Sequence, residues 1–223
     1  MAAARPFVVT GCGRSGTLYA SMLLRGLGVA CGHEEVFHPM LATFKGFGDA
    51  EGDASWLAVP FIRSLPPSAV VLHQVRDPLA VCASFTAMGF FQTGPLGLRS
   101  PRHRPFVRFL RRHQPDAFRT ANPQSGAARH WLDWNRKTEA DACARGLDYA
   151  RYRIEDMTPD GWVEMLERVG VSRDRDTVRA PLEQVPTTAN HRKSIRTFDP
   201  CVLDDGLRAE LTTLAEAYGY VRR

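Results

Sequence analysis

The chain has 223 residues, 44% apolar and 24% charged, and 29 Lys+Arg against 24 Asp+Glu give a formal charge of +5 and a sequence pI near 9.2. That composition is expected of a single soluble globular domain with a sizeable core and excludes global disorder. No stretch approaches the ~20 apolar residues of a membrane span, and residues 1–10 hold too short an apolar run for a signal peptide, so a cytoplasmic protein is expected. Cys12, Cys31, Cys82, Cys143 and Cys201 are odd in number and scattered without a C-x-x-C. They exclude a disulfide scaffold or zinc ribbon and read as reduced, mostly buried thiols.

In chain order, residues 6–10 (PFVVT) form a short apolar run that enters Gly11-Cys-Gly-Arg-Ser-Gly. Residues 17–27 then place Leu18, Met22, Leu23 and Leu27 near helical spacing. Residues 46–54 read as a Gly/Asp-rich loop, and residues 55–65 as a short helix ended by Pro66-Pro67. A second strand–turn–helix unit follows: residues 69–75, Arg76-Asp77-Pro78, then residues 79–88, with Asp77 suited to cap the helix and Pro78 to its first position.

Residues 89–125 are rich in Gly and Pro and read as an insertion or lid carrying one basic helix at 106–113. Between Asp77 and Asp116 no acidic residue occurs, while Arg99, Arg102, Arg104, Arg108, Arg111 and Arg112 all fall there. That +6 leaves the remainder of the chain at −1. Arginine is well shaped for phosphate and sulfate oxygens, but charge alone does not decide what these residues do. Further on, residues 126–145 predict a long helix with Trp131, Trp134, Thr138 and Ala142 inward, residues 148–154 a strand, and residues 160–169 a helix. Residues 171–194 look mixed and loop-rich. Leu203, Leu207, Leu211, Leu214 and Tyr218 then mark a final helix. Strands alternating with helices predict an α/β, P-loop-type three-layer fold with a mainly parallel central sheet and helices on both faces.

Gly11 to Thr17 sits where phosphate loops sit, after the first strand and at a helix N-terminus, where free N–H groups and the helix dipole favour an anion. Gly11 and Gly16 match the Walker template, but Thr17 stands at its lysine and Leu18 at its Ser/Thr position. The loop therefore suits phosphate without suiting ATP with magnesium. Arg14 is the cation available within it.

Arg14-Ser15-Gly16-Thr17 after a strand resembles the 5′-phosphosulfate loop of the sulfotransferase superfamily, which uses 3′-phosphoadenylyl sulfate (PAPS). Val75-Arg76-Asp77-Pro78 with Ser84 is similar to that family's 3′-phosphate motif. Gly32-His33-Glu34 and Asp53-Ala-Ser-Trp56 look like stretches of bacterial sulfotransferase-like proteins. Residues 151–157 (RYRIEDM) are similar to a family strand end, with Ile154 where a tyrosine often lies, and Thr17-Leu18 departs from the commoner T-T pair. The loop at 190–193 falls where relatives close a basic loop on the nucleotide, which singles out Arg192.

The resemblance implies transfer of a sulfuryl group from PAPS to a hydroxyl or amine of a small-molecule, carbohydrate or lipid acceptor, by in-line displacement without a metal. The donor would be held by Cys12, Gly13, Arg14, Ser15, Gly16, Thr17, Leu18, Arg76, Ser84 and Arg192, leaving adenosine 3′,5′-bisphosphate as product. Arg14 would stabilise the leaving phosphate. A base is expected among His33, Glu34, Glu35 and His38, with Glu34 first, Glu35 second and His33 orienting or sharing the proton. His73 reads as a hydrogen-bonded core histidine and Cys12 as packing. Two rivals stand beside this reading. One is a P-loop nucleotide or small-molecule kinase, against which Thr17 argues. The other is a non-enzymatic anion or RNA binder, for which no nucleic-acid motif is present. No nucleic-acid partner or stable membrane insertion is expected, and the acceptor and the oligomeric state are left open.

Overall fold

The structure, a computed structural model, describes residues 5–48, 50–92, 101–185 and 198–220. Met1–Val75 with Lys137–His191 form one compact unit, and Arg76–Arg136 with Arg192–Arg223 a second.

The first unit is built on five parallel strands in the order β2-β3-β1-β4-β5. The strands are β1 (Phe7–Thr10), β2 (Cys31–Gly32), β3 (Gly52–Ala54), β4 (Val70–Val75) and β5 (Asp148–Arg153). Val8 pairs with Asp53 on one side and Val71 on the other, and Leu72 with Ala150. Strands β1 and β4 are buried at every position, as expected of a parallel sheet covered on both faces. On one face Phe7, Val9, Val70, Leu72, Ala150 and Tyr152 join Leu23 and Leu24 of α1 (Thr17–Gly26), Trp162 and Leu166 of α5 (Pro159–Arg168) and Val178 of α6 (Arg175–Gln184). On the other, the His73 Nδ1 lies 2.8 Å from the Tyr149 hydroxyl, which donates to Glu139 Oε1 at 3.2 Å. His73 is thus a buried, hydrogen-bonded core residue.

The second unit is helical. It contains α2 (Pro78–Met88), α3 (Arg104–His113), the first part of α4 (Pro123–Ala144) and α7 (Asp205–Ala217). Asp77 caps α2 through a 2.9 Å bond from the Leu79 N–H, with Pro78 in the first turn. Arg129 and Arg136 of α4 both reach Glu210 of α7, and the ring of Trp131 packs on Tyr218. Trp131, Trp134, Thr138 and Ala142 are all buried, as their spacing predicted.

Two expectations need correction and two gain detail. The last residues of the supposed 46–54 loop form β3, because Gly52–Ala54 pairs with β1 and β2. The inward face of α1 is Ala20, Leu23, Leu24 and Leu27, while Met22 is 38% exposed and Leu18 only half-buried, so the stripe is turned from the expected one. The short helix expected at 55–65 is present at 56–64 and is of the 3₁₀ type, consistent with Pro60 in its middle removing a helix donor. The loop-rich 171–194 stretch contains α6, capped by Asp174 through the Thr177 N–H. The cysteines divide: Cys12, Cys31 and Cys82 are buried free thiols, whereas Cys143 and Cys201 are exposed. No helix among the described residues is long and apolar enough to cross a membrane.

Candidate functional site

The site in the first unit begins at the exit of β1. Gly11 has φ +149°, and a Cβ there would stand 2.2 Å from the Gln74 carbonyl oxygen, so only glycine lets the loop lie this close to β4. Gln74, wholly buried at the end of β4, donates from Nε2 to the Ser15 carbonyl at 2.5 Å and accepts from the Tyr152 hydroxyl of β5 at 2.7 Å. Two neighbouring strands thereby fix the curvature of residues 11–17. Helix α1 starts at Gly16, in left-handed backbone (φ +98°), with no side-chain cap and no acid in its first turn. Its N-terminal dipole is left uncompensated by the protein. Ser15 Oγ is buried and has no hydrogen-bond partner within the protein. Cys12 is fully buried beneath the loop, as the packing reading expects.

Glu34 lies two residues past the end of β2. Only Arg14 (φ +71°) and Glu34 (φ +57°) adopt positive φ among the described non-glycine residues. A left-handed backbone costs a side-chain-bearing residue ~1–2 kcal/mol, and such strain collects at functional sites. Thr17 Oγ1 lies 3.4 Å from His33 Nε2, which in turn lies 3.9 Å from Glu34 Oε1. Burial raises the Glu34 carboxyl to about 7, the Trp56 side chain opposes this through a hydrogen bond, the Asp53 charge adds to it, and Arg14 pulls it down. Burial also lowers the His33 imidazole, with Arg25 in the same direction and Glu35 against. Arg14, Thr17, His33 and Glu34 therefore form one cluster.

Glu35 turns elsewhere, making a 2.6 Å ion pair with Arg25 in which both side chains are more than half exposed. From Glu35 onward the chain lines an open cavity of about 710 Å³, with Val36, His38, Met40, Leu41, Phe44 and Phe47 among its walls. Phe37 backs this loop, buried and stacked on Phe44 with ring centroids 5.0 Å apart.

No protein-family model and no curated protein matches the chain. Among solved structures, the sulfotransferase domain from the curacin biosynthetic pathway aligns over 99% of this chain and 99% of its own length, with a TM-score of 0.55 and 13% identity. The fold is sulfotransferase-like.

In the second unit, Arg76 and Ser84 are half-buried, at the entry to α2 and on its second turn. The Trp131 indole donates to the Arg76 carbonyl at 3.2 Å and anchors that residue's backbone. Arg192 lies outside the described residues, as does Arg99. Sequence reasoning missed Gln74 and Tyr152, which act on the loop from separate strands. It quoted Asp53 and Trp56 only as part of a resemblance and gave them no role. A polar residue inside an otherwise apolar buried strand, as Gln74 is, was the signal available for the first of these.

Proposed function

We propose that the chain transfers a sulfuryl group from PAPS to an acceptor hydroxyl, with Glu34 as general base. The observation that carries this reading is the cluster itself: the carboxyl raised to about 7 stands next to Arg14 and the anion loop, and both side chains are borne on left-handed backbone. The residues present fit the donor's anionic end. The 11–17 loop holds no acid, the α1 N-terminus lacks a side-chain cap, and Ser15 Oγ lacks a partner. Arg14, Ser15, Thr17 and the loop N–H groups would hold the 5′-phosphosulfate. In the second unit, Arg76 and Ser84 carry the sequence pattern that the resemblance assigns to a 3′-phosphate.

The donor, when bound, supplies an activated sulfuryl group whose bond to the 5′-phosphate oxygen breaks as the acceptor oxygen bonds to sulfur. Glu34 takes the acceptor's hydroxyl proton, and at neutral pH about half of it is in the carboxylate form this requires. Arg14 and the loop N–H groups neutralise the charge that grows on the departing phosphate, a contribution of roughly 3–4 kcal/mol for a single placed donor. His33 stands between Thr17 of the loop and the Glu34 carboxyl, 3.4 Å from one and 3.9 Å from the other. The acceptor would reach Glu34 from the cavity whose wall begins at Glu35.

Thermal-shift titration tests the donor. Stabilisation by adenosine 3′,5′-bisphosphate without magnesium is expected, and a response to Mg-ATP alone would overturn the reading in favour of a kinase. Labelled-sulfate transfer from PAPS across sugar, phenol, lipid and other alcohol acceptors, followed by mass spectrometry, then assigns the acceptor class.

A further inference from the structure

Four consecutive residues at the end of β3, Asp53 to Trp56, hold the turn that bears Glu34. The Asp53 carboxylate is fully buried, accepting from the Glu35 N–H at Oδ1 (3.3 Å) and the Phe37 N–H at Oδ2 (3.0 Å). Ser55 Oγ donates to the Phe37 carbonyl at 2.8 Å and accepts from the Leu57 N–H. Ser55 is itself tied to β1, through its N–H to the Val9 carbonyl and its carbonyl to Thr10 Oγ1. Trp56, 6% exposed, bonds the Glu34 side chain directly. Even Gly32 belongs to this arrangement, since a Cβ there would lie 2.6 Å from Asp53 Oδ1. A left-handed glutamate in a loop would relax if nothing held it. Here both its backbone and its carboxylate are held, and from one short segment.

We propose that Asp53 and Trp56 are positioning residues for the base: Asp53 fixes the 34–37 turn through its backbone N–H groups, and Trp56 fixes the Glu34 carboxylate through its indole N–H. The proposal rests on the reading of Glu34 as base. Neither residue touches the reacting atoms. The charged and titratable groups acting on Glu34 come from three elements: Arg14 from the loop before α1, His33 beside it, and Asp53 from β3. The Arg25–Glu35 pair acts on His33. Asp53 and Trp56 push Glu34 in opposite senses, the first favouring the proton and the second the carboxylate.

That opposition supplies the test. Protein labelled with ¹³C in the glutamate side chains is titrated without donor or acceptor, the Glu34 resonance being assigned by its loss in Glu34→Gln. Trp56→Phe, which keeps a ring and loses the N–H, is expected to raise the Glu34 midpoint by about one pH unit. Asp53→Asn is expected to lower it. The acidic limb of kcat/KM should move in the same two directions, with affinity for adenosine 3′,5′-bisphosphate unchanged within about twofold. Shifts of the same sign in both variants, or none, would overturn the proposal and leave the two residues as packing. A wild-type protein that neither binds the bisphosphate nor transfers sulfate strikes the sulfuryl-transfer reading instead, because the titration needs neither ligand.

Discussion

The 11–17 loop and helix α3 both carry arginine, but in opposite circumstances. Arg102, Arg104, Arg108, Arg111 and Arg112 are all exposed and form no ion pair among the described residues, while Val107, Phe109 and Leu110 supply the helix's buried face. Arg111 lies over the Phe118 ring, 5.1 Å from its centroid. Arg14 is a single arginine, held in a strained backbone within reach of a half-protonated carboxyl. The segment with most of the charge is the one where water can screen it, and the segment with one charge is where the fold makes it count. Net charge thus locates neither the site nor its chemistry.

The comparison is most exposed to Arg14→Ala, expected to lower kcat by roughly 10²–10³-fold with the fold intact, the range for loss of one placed oxyanion donor. Steady-state sulfate transfer measures it, and a small loss would put Arg14 on a par with the α3 arginines. Glu34→Gln should cost about 10²-fold in kcat, and full activity in that variant would end the base assignment. The same variant has a stability signature. A carboxyl raised to about 7 contributes its favourable linkage below its ordinary value near 4.5 and loses it as pH rises through 7. Glu34→Gln should therefore match wild type at pH 4 and gain about 2–3 kcal/mol relative to it by pH 8, read from denaturant melts at the two pH values. Gln74→Leu strands the Tyr152 hydroxyl and the Ser15 carbonyl, and is expected to destabilise by about 2 kcal/mol and weaken bisphosphate binding together. Smallest of all, Arg104→Gln, Arg108→Gln and Arg111→Gln combined should leave kcat and melting temperature unchanged. If these arginines steer the donor, kcat/KM for PAPS falls by up to about tenfold at low ionic strength and recovers with salt. No salt-dependent change would make α3 a solvated face only.

What could be read from the sequence was what is local. The β1–loop–α1 and β4–turn–α2 units carry their own punctuation, glycines in one and Asp77-Pro78 in the other, and both appear where expected. The short strands β2 and β3 have two and three residues, and nothing in Cys-Gly or Gly-Asp-Ala prefers extended backbone; β3 is a strand because β1 offers it an edge, and β2 because β3 in turn does. Helix α6 hid behind Pro181 and a single fully buried residue, Val178. At the site, Arg14, Thr17, His33 and Glu34 were visible as motif residues, whereas their supports, Gln74, Tyr152, Asp53 and Trp56, lie 16 to 137 positions from the residues they hold or brace, so no window of sequence joins them.

The two left-handed residues have an evolutionary corollary. Glycine would occupy positions 14 and 34 with no steric penalty, so each site has a substitution that relieves strain while removing the side chain on which the proposed transfer depends. A library selected for thermal tolerance alone should drift toward glycine at both positions and emerge hardier and inert. One selected for turnover should retain Arg14 and Glu34 and seek its robustness elsewhere in the chain.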